Sequence, residues 1–171
     1  MKVCLVVKPG HTGTGVGRYA AELESSLLDQ GHEVVVIHPV VPLPGWLLRS
    51  IRRALSWDLE AFLHTYPLWV NYPSADLYHL TSQNLATLML LRRPPGRVVI
   101  TVHDIIPWLV HKDSRLRLYH HRFEEWFDRL ALWGIRKADW ILSDSNFSAD
   151  SLASVLNGSP LPIDTVYLGI S

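Results

Sequence analysis

The sequence predicts a doubly wound α/β domain with a mainly parallel sheet. Two apolar, β-branched runs (residues 2–8 and 97–103) are typical of strands covered on both faces. A glycine-rich turn joins the first run to a segment with helical spacing, and a second strand follows at 34–37. Strand, turn, helix and strand in this order form a parallel, right-handed βαβ unit. Because strands and helices then alternate to the end of the sequence, we expect one domain over residues 1–171.

The remaining elements are predicted from periodicity and from capping residues. The first helix is expected to end at Gln30, because Gly31 is a natural stop. Residues 38–73 are irregular apart from a short helix at 46–57. A serine, Ser145 or Ser148, is expected to cap a helix that ends near Gly158. Further strands are predicted at 75–80, 97–103, 138–143 and 164–168, and further helices at 84–91 and 116–137.

Composition limits the classes of protein to which the chain can belong. The sixteen basic residues equal the sixteen acidic ones, so no polyanionic partner is indicated overall. The single cysteine, Cys4, excludes internal disulfides and a cysteine-built zinc site, and it fits a reducing compartment. Neither a signal peptide nor an apolar run of membrane-spanning length is visible, so a cytoplasmic location is expected.

The glycine loop is the first candidate site. Gly13, Gly15 and Gly17 leave the main chain free of Cβ atoms, and the following helix directs its unpaired amides towards them. A nucleotide P-loop would need Gly-Lys-Ser/Thr, which is missing. A dinucleotide site would need an acidic residue after the second strand, where His38 stands. Two interpretations remain open: backbone contact with a sugar or diphosphate, or glycines that serve only helix–sheet packing.

A histidine and an aspartate form the second candidate site. His103 and Asp104 come where a parallel strand ends, at the sheet edge that binds ligands in open α/β folds. The alternative is that Asp104 caps a turn and that His103 packs beneath it. His11, in the glycine loop, is a further candidate for a sugar contact or a base. The pair His120 and His121 has neither a Glu-x-x-His pattern nor a third ligand, so no metal site is predicted.

Two helices are rich in tryptophan. The segment 46–57 has Trp46 and Trp57 at its ends and three arginines between them, which is typical of a helix in a membrane interface and equally of an amphipathic helix packed on the domain. On the helix predicted at 116–137, we expect Trp126, Phe127, Leu130 and Trp133 to form the face that packs on the sheet.

Four segments in this order resemble the N-terminal part of glycosyltransferase family 4, the large retaining group with the GT-B fold. They are Thr-Gly-Val-Gly-Arg-Tyr at 14–19, Thr-Val-His-Asp-Ile-Ile-Pro at 101–107, Lys-Ala-Asp-Trp-Ile-Leu-Ser-Asp-Ser at 137–145 and Val-Tyr-Leu-Gly-Ile-Ser at 166–171. The nearest subgroup is that of the mannosyltransferase-like enzymes. The resemblance implies an enzyme with two α/β lobes, the first holding most of the acceptor and the second holding a nucleotide-sugar, with no metal. The present 171 residues correspond to the first lobe only, so we expect little turnover without the second.

The resemblance also implies roles for individual residues. Gly15 would approach the donor diphosphate or sugar, and Gly17 would let the helix pack closely. Arg18 would contact phosphate or acceptor, and His103, followed by Asp104, would hydrogen-bond the transferred sugar. A retaining enzyme of this kind needs no protein base, whereas an inverting relative would use His11 first. The competing interpretations are a non-catalytic binding module derived from the same lobe and a nucleotide-binding oxidoreductase.

Overall fold

A computed structural model shows an open sheet of six strands. It describes residues 1–9, 13–116, 118–119, 122–157 and 160–167. The strands run in the order β2-β1-β3-β4-β5-β6, and all neighbouring pairs are parallel. Their bounds are β1 Lys2–Val6, β2 Glu33–Ile37, β3 Leu77–Leu80, β4 Arg97–Val102, β5 Trp140–Ser143 and β6 Ile163–Thr165. The predicted fold class is confirmed.

Helices connect the strands. They are α1 Gly15–Asp29, α2 Gly45–Leu55, α3 Leu59–Thr65, α4 Leu88–Leu91, α5 Ile106–Leu109, α6 Arg122–Ile135 and α7 Asn146–Val155, with a 3-10 helix at Gln83–Thr87. The sequence did not predict α3 or α5. The helix predicted at 116–137 is shorter in the structure: Leu116 lies in a turn, residues 118–119 are not helical, and α6 runs from Arg122 to Ile135.

Alternation along the strands divides the core between the two faces of the sheet. In β1, Val3 and Leu5 pack with Ala20 of α1, whereas Cys4 and Val6 join the larger cluster on the opposite face. The larger cluster also contains side chains of the 3-10 helix, α4, α6 and α7: Leu85, Ala86, Leu88, Met89, Leu132, Ile135 and Leu152. In β3 and β4, the side chains of His79 and Thr101 belong to the α1 side, since their neighbours in sequence belong to the larger cluster.

The contact between α6 and the 3-10 helix is unusually close. A Cβ atom on Gly134 would lie 1.9 Å from the carbonyl oxygen of Ala86, so only glycine fits there. The buried face of α6 consists of Ala131, Leu132 and Ile135. Trp126 and Trp133 remain 55% and 52% exposed. The prediction that these two tryptophans face the sheet is therefore wrong. The close approach of Gly134 to Ala86 places the neighbouring Ala131, Leu132 and Ile135, and not the tryptophans, against the layer beneath α6.

Candidate functional site

The strand order places a crevice at the carboxyl ends of β1 and β3. β2, which follows β1 in sequence, lies on one side of β1, and β3 lies on the other side. The connection after β1 and the connection after β3 therefore run in opposite directions across the sheet, which leaves a crevice between these two strands. In open α/β sheets this is the point at which ligands bind. Lys8 and the glycine loop follow β1, and Thr81 and Ser82 follow β3. His103 follows the next strand, β4.

The helix α1 begins at the predicted glycines. Its N-cap is Thr14, whose Oγ1 accepts a hydrogen bond from the amide of Gly17 at 3.2 Å. A Cβ atom on Gly15 would meet nothing within 4 Å, so this glycine borders open space. The side chain of Arg18 is exposed. His11 lies outside the described residues.

Tyr19 connects α1 to the β3–β4 edge. Its hydroxyl lies 2.7 Å from Thr101 Oγ1, and the same oxygen lies 2.7 Å from Nε2 of His79. The Tyr19 ring also packs edge-on against the His103 ring, with centroids 5.1 Å apart. The first turns of α1 and His103 therefore share one rim. Burial, with a smaller effect of His103, lowers the pKa of His79 to about 4, so this histidine is neutral.

Both ring nitrogens of His103 lie near protein acceptors. Nε2 is 3.0 Å from the carbonyl oxygen of Thr81, and Nδ1 is 3.3 Å from Asp144 Oδ2. A ring protonated on both nitrogens would donate to both groups. The side chain is only 12% exposed, and Ser148 Oγ donates to the carbonyl oxygen of the same residue at 2.8 Å. The ring would therefore exchange one of these contacts to reach a sugar, and its role in binding stays a prediction.

Asp104 stabilises the turn after β4, as one of the two sequence interpretations has it, and its contact with a ligand stays a prediction. Its Oδ1 accepts a hydrogen bond from the amide of Ile106 at 3.2 Å in the turn that leads into the short helix α5. It also lines a cavity of about 540 Å³ that adjoins the rim. The cavity wall includes five aromatic side chains, Trp57, Phe62, Tyr66, Trp108 and Tyr119. It further includes four carboxylates, Asp58, Asp104, Glu124 and Asp128.

Two sets of hydrogen bonds fix polar groups in the wall of this cavity. Lys8 Nζ, just after β1, donates to Asn84 Oδ1 at 3.1 Å. Tyr66 and Tyr119 donate to the two carboxylate oxygens of Asp128, at 2.7 and 2.5 Å. Burial raises the pKa of the Asp128 carboxyl, although both tyrosines oppose that rise. It also raises the pKa values of the two tyrosines, so their hydroxyls stay protonated donors.

Lys8 was not among the site residues that the sequence predicted. Burial lowers its pKa to about 8, although Asp128 and Asp104 attract the charged form. The apolar pattern predicts that Lys8 ends the first strand, whereas β1 ends at Val6. The sequence did contain a signal for this residue, because a lysine that follows a buried strand and precedes a glycine loop lies at the ligand-binding edge of the sheet. The contact of Asp144 with His103 was not predicted either, because the segment 143–148 was interpreted as a helix cap. That cap is present: Ser145 Oγ accepts a hydrogen bond from the amide of Ser148 at 3.2 Å at the start of α7.

The helix α2 turns its arginines outwards. Arg49, Arg52 and Arg53 are exposed, Leu48 is buried, and Trp46 is 64% exposed at the start of the helix. Arg52 forms an ion pair of 3.4 Å with Asp58. This arrangement is an amphipathic helix packed on the domain, and contact of its outer face with lipid stays a prediction. No helix in the described part of the chain is long and apolar enough to cross a membrane.

Metal-binding residues do not cluster in the part of the chain that the structure describes. No three side chains of the types His, Cys, Asp or Glu lie close enough there to hold an ion. His120 and His121 are outside that part.

Comparison with solved structures bears on the fold. The chain is similar to an alpha-glucosyltransferase in complex with UDP and a 13-mer DNA containing a HMU base, with a TM-score of 0.50, 18% identity and 96% of this chain covered. A second structure, an alpha-glucosyltransferase in complex with UDP-glucose and DNA containing an abasic site, has a TM-score of 0.49 and 19% identity over the same share of the chain. The present chain spans 41% and 42% of these two proteins. At this identity the first likeness supports the fold, that of a GT-B lobe.

Comparison of sequences gives the family. No curated protein has a significantly similar sequence. Residues 13–171, from the glycine loop to the end of the sequence, match the family described as Glycosyltransferase Family 4. The match spans the glycine loop at 13–19, the segment 101–107 after β4 and the segment 137–145 around β5, as the resemblance predicted. The chain belongs to Glycosyltransferase Family 4.

Proposed function

We propose that the chain is the acceptor-side lobe of a retaining glycosyltransferase that uses a nucleotide-sugar as donor. The observation that supports this most is the shared rim, where Gly15 borders open space and His103 packs on Tyr19 of the same helix. In this proposal the amides at the start of α1, with Arg18, approach the donor diphosphate, because a helix N-terminus favours anions. His103 contacts the transferred sugar, and Asp104 stands between it and the cavity.

The proposed chemistry needs neither a metal nor a protein base. In a retaining transfer the leaving phosphate oxygen accepts the proton of the attacking hydroxyl while the anomeric bond breaks on the same face. The lobe supplies positioning and electrostatic stabilisation. A second α/β lobe, in the same polypeptide or in a partner, carries most of the donor site. His11 becomes the first candidate base only if the configuration inverts.

The test is sugar transfer by the enzyme that carries this lobe. Gly15→Ala adds a methyl group where the fold has room, so we expect normal folding and at least about a hundredfold loss of transfer. His103→Ala should reduce transfer similarly. Ser25→Ala, on an exposed position of α1, is the matched control and should retain full activity. Wild-type transfer by Gly15→Ala would refute the role of the loop, and wild-type transfer by His103→Ala would remove that residue from the site.

The outer face of α2 is proposed to contact anionic lipid at the membrane surface. Trp46 and the exposed arginines supply the aromatic and cationic groups that such a contact uses. Wild-type protein should sediment with vesicles that contain anionic lipid, and a variant with Arg49→Glu and Arg53→Glu should not. Equal sedimentation of both proteins would refute the contact.

A further inference from the structure

The ring of His103 is held by groups that follow β3 and β5 and by a side chain of α1. Its Nε2 lies 3.0 Å from the carbonyl oxygen of Thr81, which can only accept, so Nε2 carries a proton and donates it. Its Nδ1 lies 3.3 Å from Asp144 Oδ2. The ring of Tyr19 packs against the imidazole at an interplanar angle of 85°, with centroids 5.1 Å apart. Edge-to-face pairs of aromatic rings are favourable, so this contact restrains the orientation of the imidazole.

The contact with Tyr19 differs from the two hydrogen bonds in its response to a ligand. The nitrogens of His103 are the atoms that would bond to a sugar hydroxyl, and the side chain is only 12% exposed, so one of the hydrogen bonds has to be given up first. A single remaining hydrogen bond restrains the side-chain torsions less than a pair does. Ring packing does not use the nitrogens and therefore persists during the exchange. Tyr19 is thus suited to keep the imidazole in place while it binds.

Tyr19 is itself fixed from beneath by two buried polar side chains. Its hydroxyl lies 2.7 Å from Thr101 Oγ1, and the same oxygen lies 2.7 Å from His79 Nε2. A threonine hydroxyl has one proton and two lone pairs, so it can bond to both neighbours at once. Thr101 and His79 would stay bonded to each other without the tyrosine. The effect of the Tyr19 hydroxyl is therefore to orient its own ring.

The position of Tyr19 on α1 connects His103 with the glycine loop. Tyr19 follows Gly15 by four residues, which is about one helical turn. Within that turn the amide of Arg18 donates to the carbonyl oxygen of Thr14 at 2.9 Å, and Thr14 also caps the helix. Because these hydrogen bonds make the turn stiff, the amides at the helix start and the ring of Tyr19 move together.

We propose that Tyr19 is a positioning residue whose ring holds the imidazole of His103 in register with the start of α1 during sugar transfer. The inference rests on the proposed function, since it names a further residue for the same reaction. It predicts that Tyr19 acts through His103, and that its ring matters more than its hydroxyl.

The experiment is a double-mutant cycle on sugar transfer by the enzyme that carries this lobe. Tyr19→Leu removes the ring and should lower kcat at least about thirtyfold, because a misplaced active-site group can cost about a hundredfold in rate. Tyr19→Phe keeps the ring, loses one hydrogen bond and should transfer within about threefold of wild type. In an enzyme that already carries His103→Ala, Tyr19→Leu should lower transfer by less than about threefold further, because a residue that acts through His103 has nothing left to position.

A control on the same helix separates positioning from stability. Leu23, one turn beyond Tyr19, packs on the cluster that contains Val3, Leu5 and Ala20. Leu23→Ala weakens the packing of α1 on the sheet without touching the Tyr19 ring, so it should lower the free energy of unfolding in urea and retain transfer. Tyr19→Met is the second ringless variant if the leucine variant does not fold.

The outcomes distinguish this inference from the proposed function. Losses that multiply in the double variant would overturn the positioning role, and so would a Tyr19→Phe variant as inactive as Tyr19→Leu. Full transfer by Tyr19→Leu beside a loss in His103→Ala would overturn it as well and leave the proposed role of His103 intact. Wild-type transfer by His103→Ala would instead refute that role, and the role of Tyr19 with it.

Discussion

Replacing Lys8 by methionine is expected to stabilise the folded chain at pH 7 and to weaken sugar transfer. Burial lowers the pKa of Lys8 from 10.5 to about 8. This lowering of the pKa means that the charged amine costs the fold about 3 kcal/mol well below pH 8. Methionine fills a similar volume without the charge, but the hydrogen bond to Asn84 is lost, at about 1 kcal/mol. The net gain is about 2 kcal/mol, or about 4–8 °C in melting temperature for a chain of this size.

The pH dependence identifies the cause. Because the pKa of Lys8 is lower in the folded chain, the unfolded chain binds more protons between about pH 8 and 10.5, and stability rises with pH in that window. The stability advantage of Lys8→Met should therefore shrink by about 1 kcal/mol between pH 7 and pH 9. Cys4 also titrates in this range, because burial raises its pKa to about 11. Since Cys4 is present in both proteins, its effect cancels when the free energy of unfolding of wild type is subtracted from that of the variant.

The assay is urea-induced unfolding at pH 7, 8 and 9, followed by far-UV circular dichroism. Lys137→Met, on an exposed lysine after α6, is the control and should change stability by less than about 0.5 kcal/mol at every pH. A Lys8→Met variant that is less stable than wild type at pH 7, or whose advantage does not change with pH, would refute the reasoning. A stabilised variant with full transfer would show that the charge has no role in the site.

Two further changes probe the packing and the buried histidine. Gly134→Ala places a methyl group 1.9 Å from the Ala86 carbonyl oxygen, so it should lower the free energy of unfolding in urea by about 2–3 kcal/mol. Gly15→Ala is the control and should not lower it. A Gly134→Ala variant as stable as wild type would mean that α6 can move away from Ala86 freely. Because burial lowers the pKa of His79 to about 4, the unfolded chain binds more protons between about pH 6.5 and 4, and stability falls as the pH drops through that window. From pH 7 to pH 5 the His79 contribution to the loss is about 2 kcal/mol, and His79→Gln should lack it; an unchanged slope in that variant would contradict the assignment.

The rim could be predicted from the sequence because parallel strands impose it. Once residues 2–8 and 97–103 are recognised as parallel strands, their carboxyl ends must lie on one edge, and the glycine loop and His103 lie there with them. The helix start at Thr14 and the cap at Ser145 follow from local hydrogen bonds between residues three apart in sequence. Helix caps depend only on residues close together in sequence, so they can be predicted without knowledge of the fold.

The cavity could not be predicted, because it depends on contacts between distant residues. Tyr66 and Asp128 are 62 positions apart, and Lys8 and Asn84 are 76 apart. The exposed tryptophans of α6 show the same limit. Aromatic residues at helical spacing indicated a buried face, but the close approach of Gly134 to Ala86 buries the adjoining face with Leu132 and Ile135 instead. Hydrophobic periodicity predicts that a helix is present more reliably than it predicts which face of the helix packs on the sheet.

The start of α1 has a consequence for the donor. It carries the amide end of a 15-residue helix and the exposed Arg18, both of which favour an anion. If these groups hold the donor diphosphate as proposed, Arg18→Glu should weaken binding of the nucleotide-sugar, because it places a negative charge beside the same helix end. An unchanged affinity for the donor in that variant would remove Arg18 from the site.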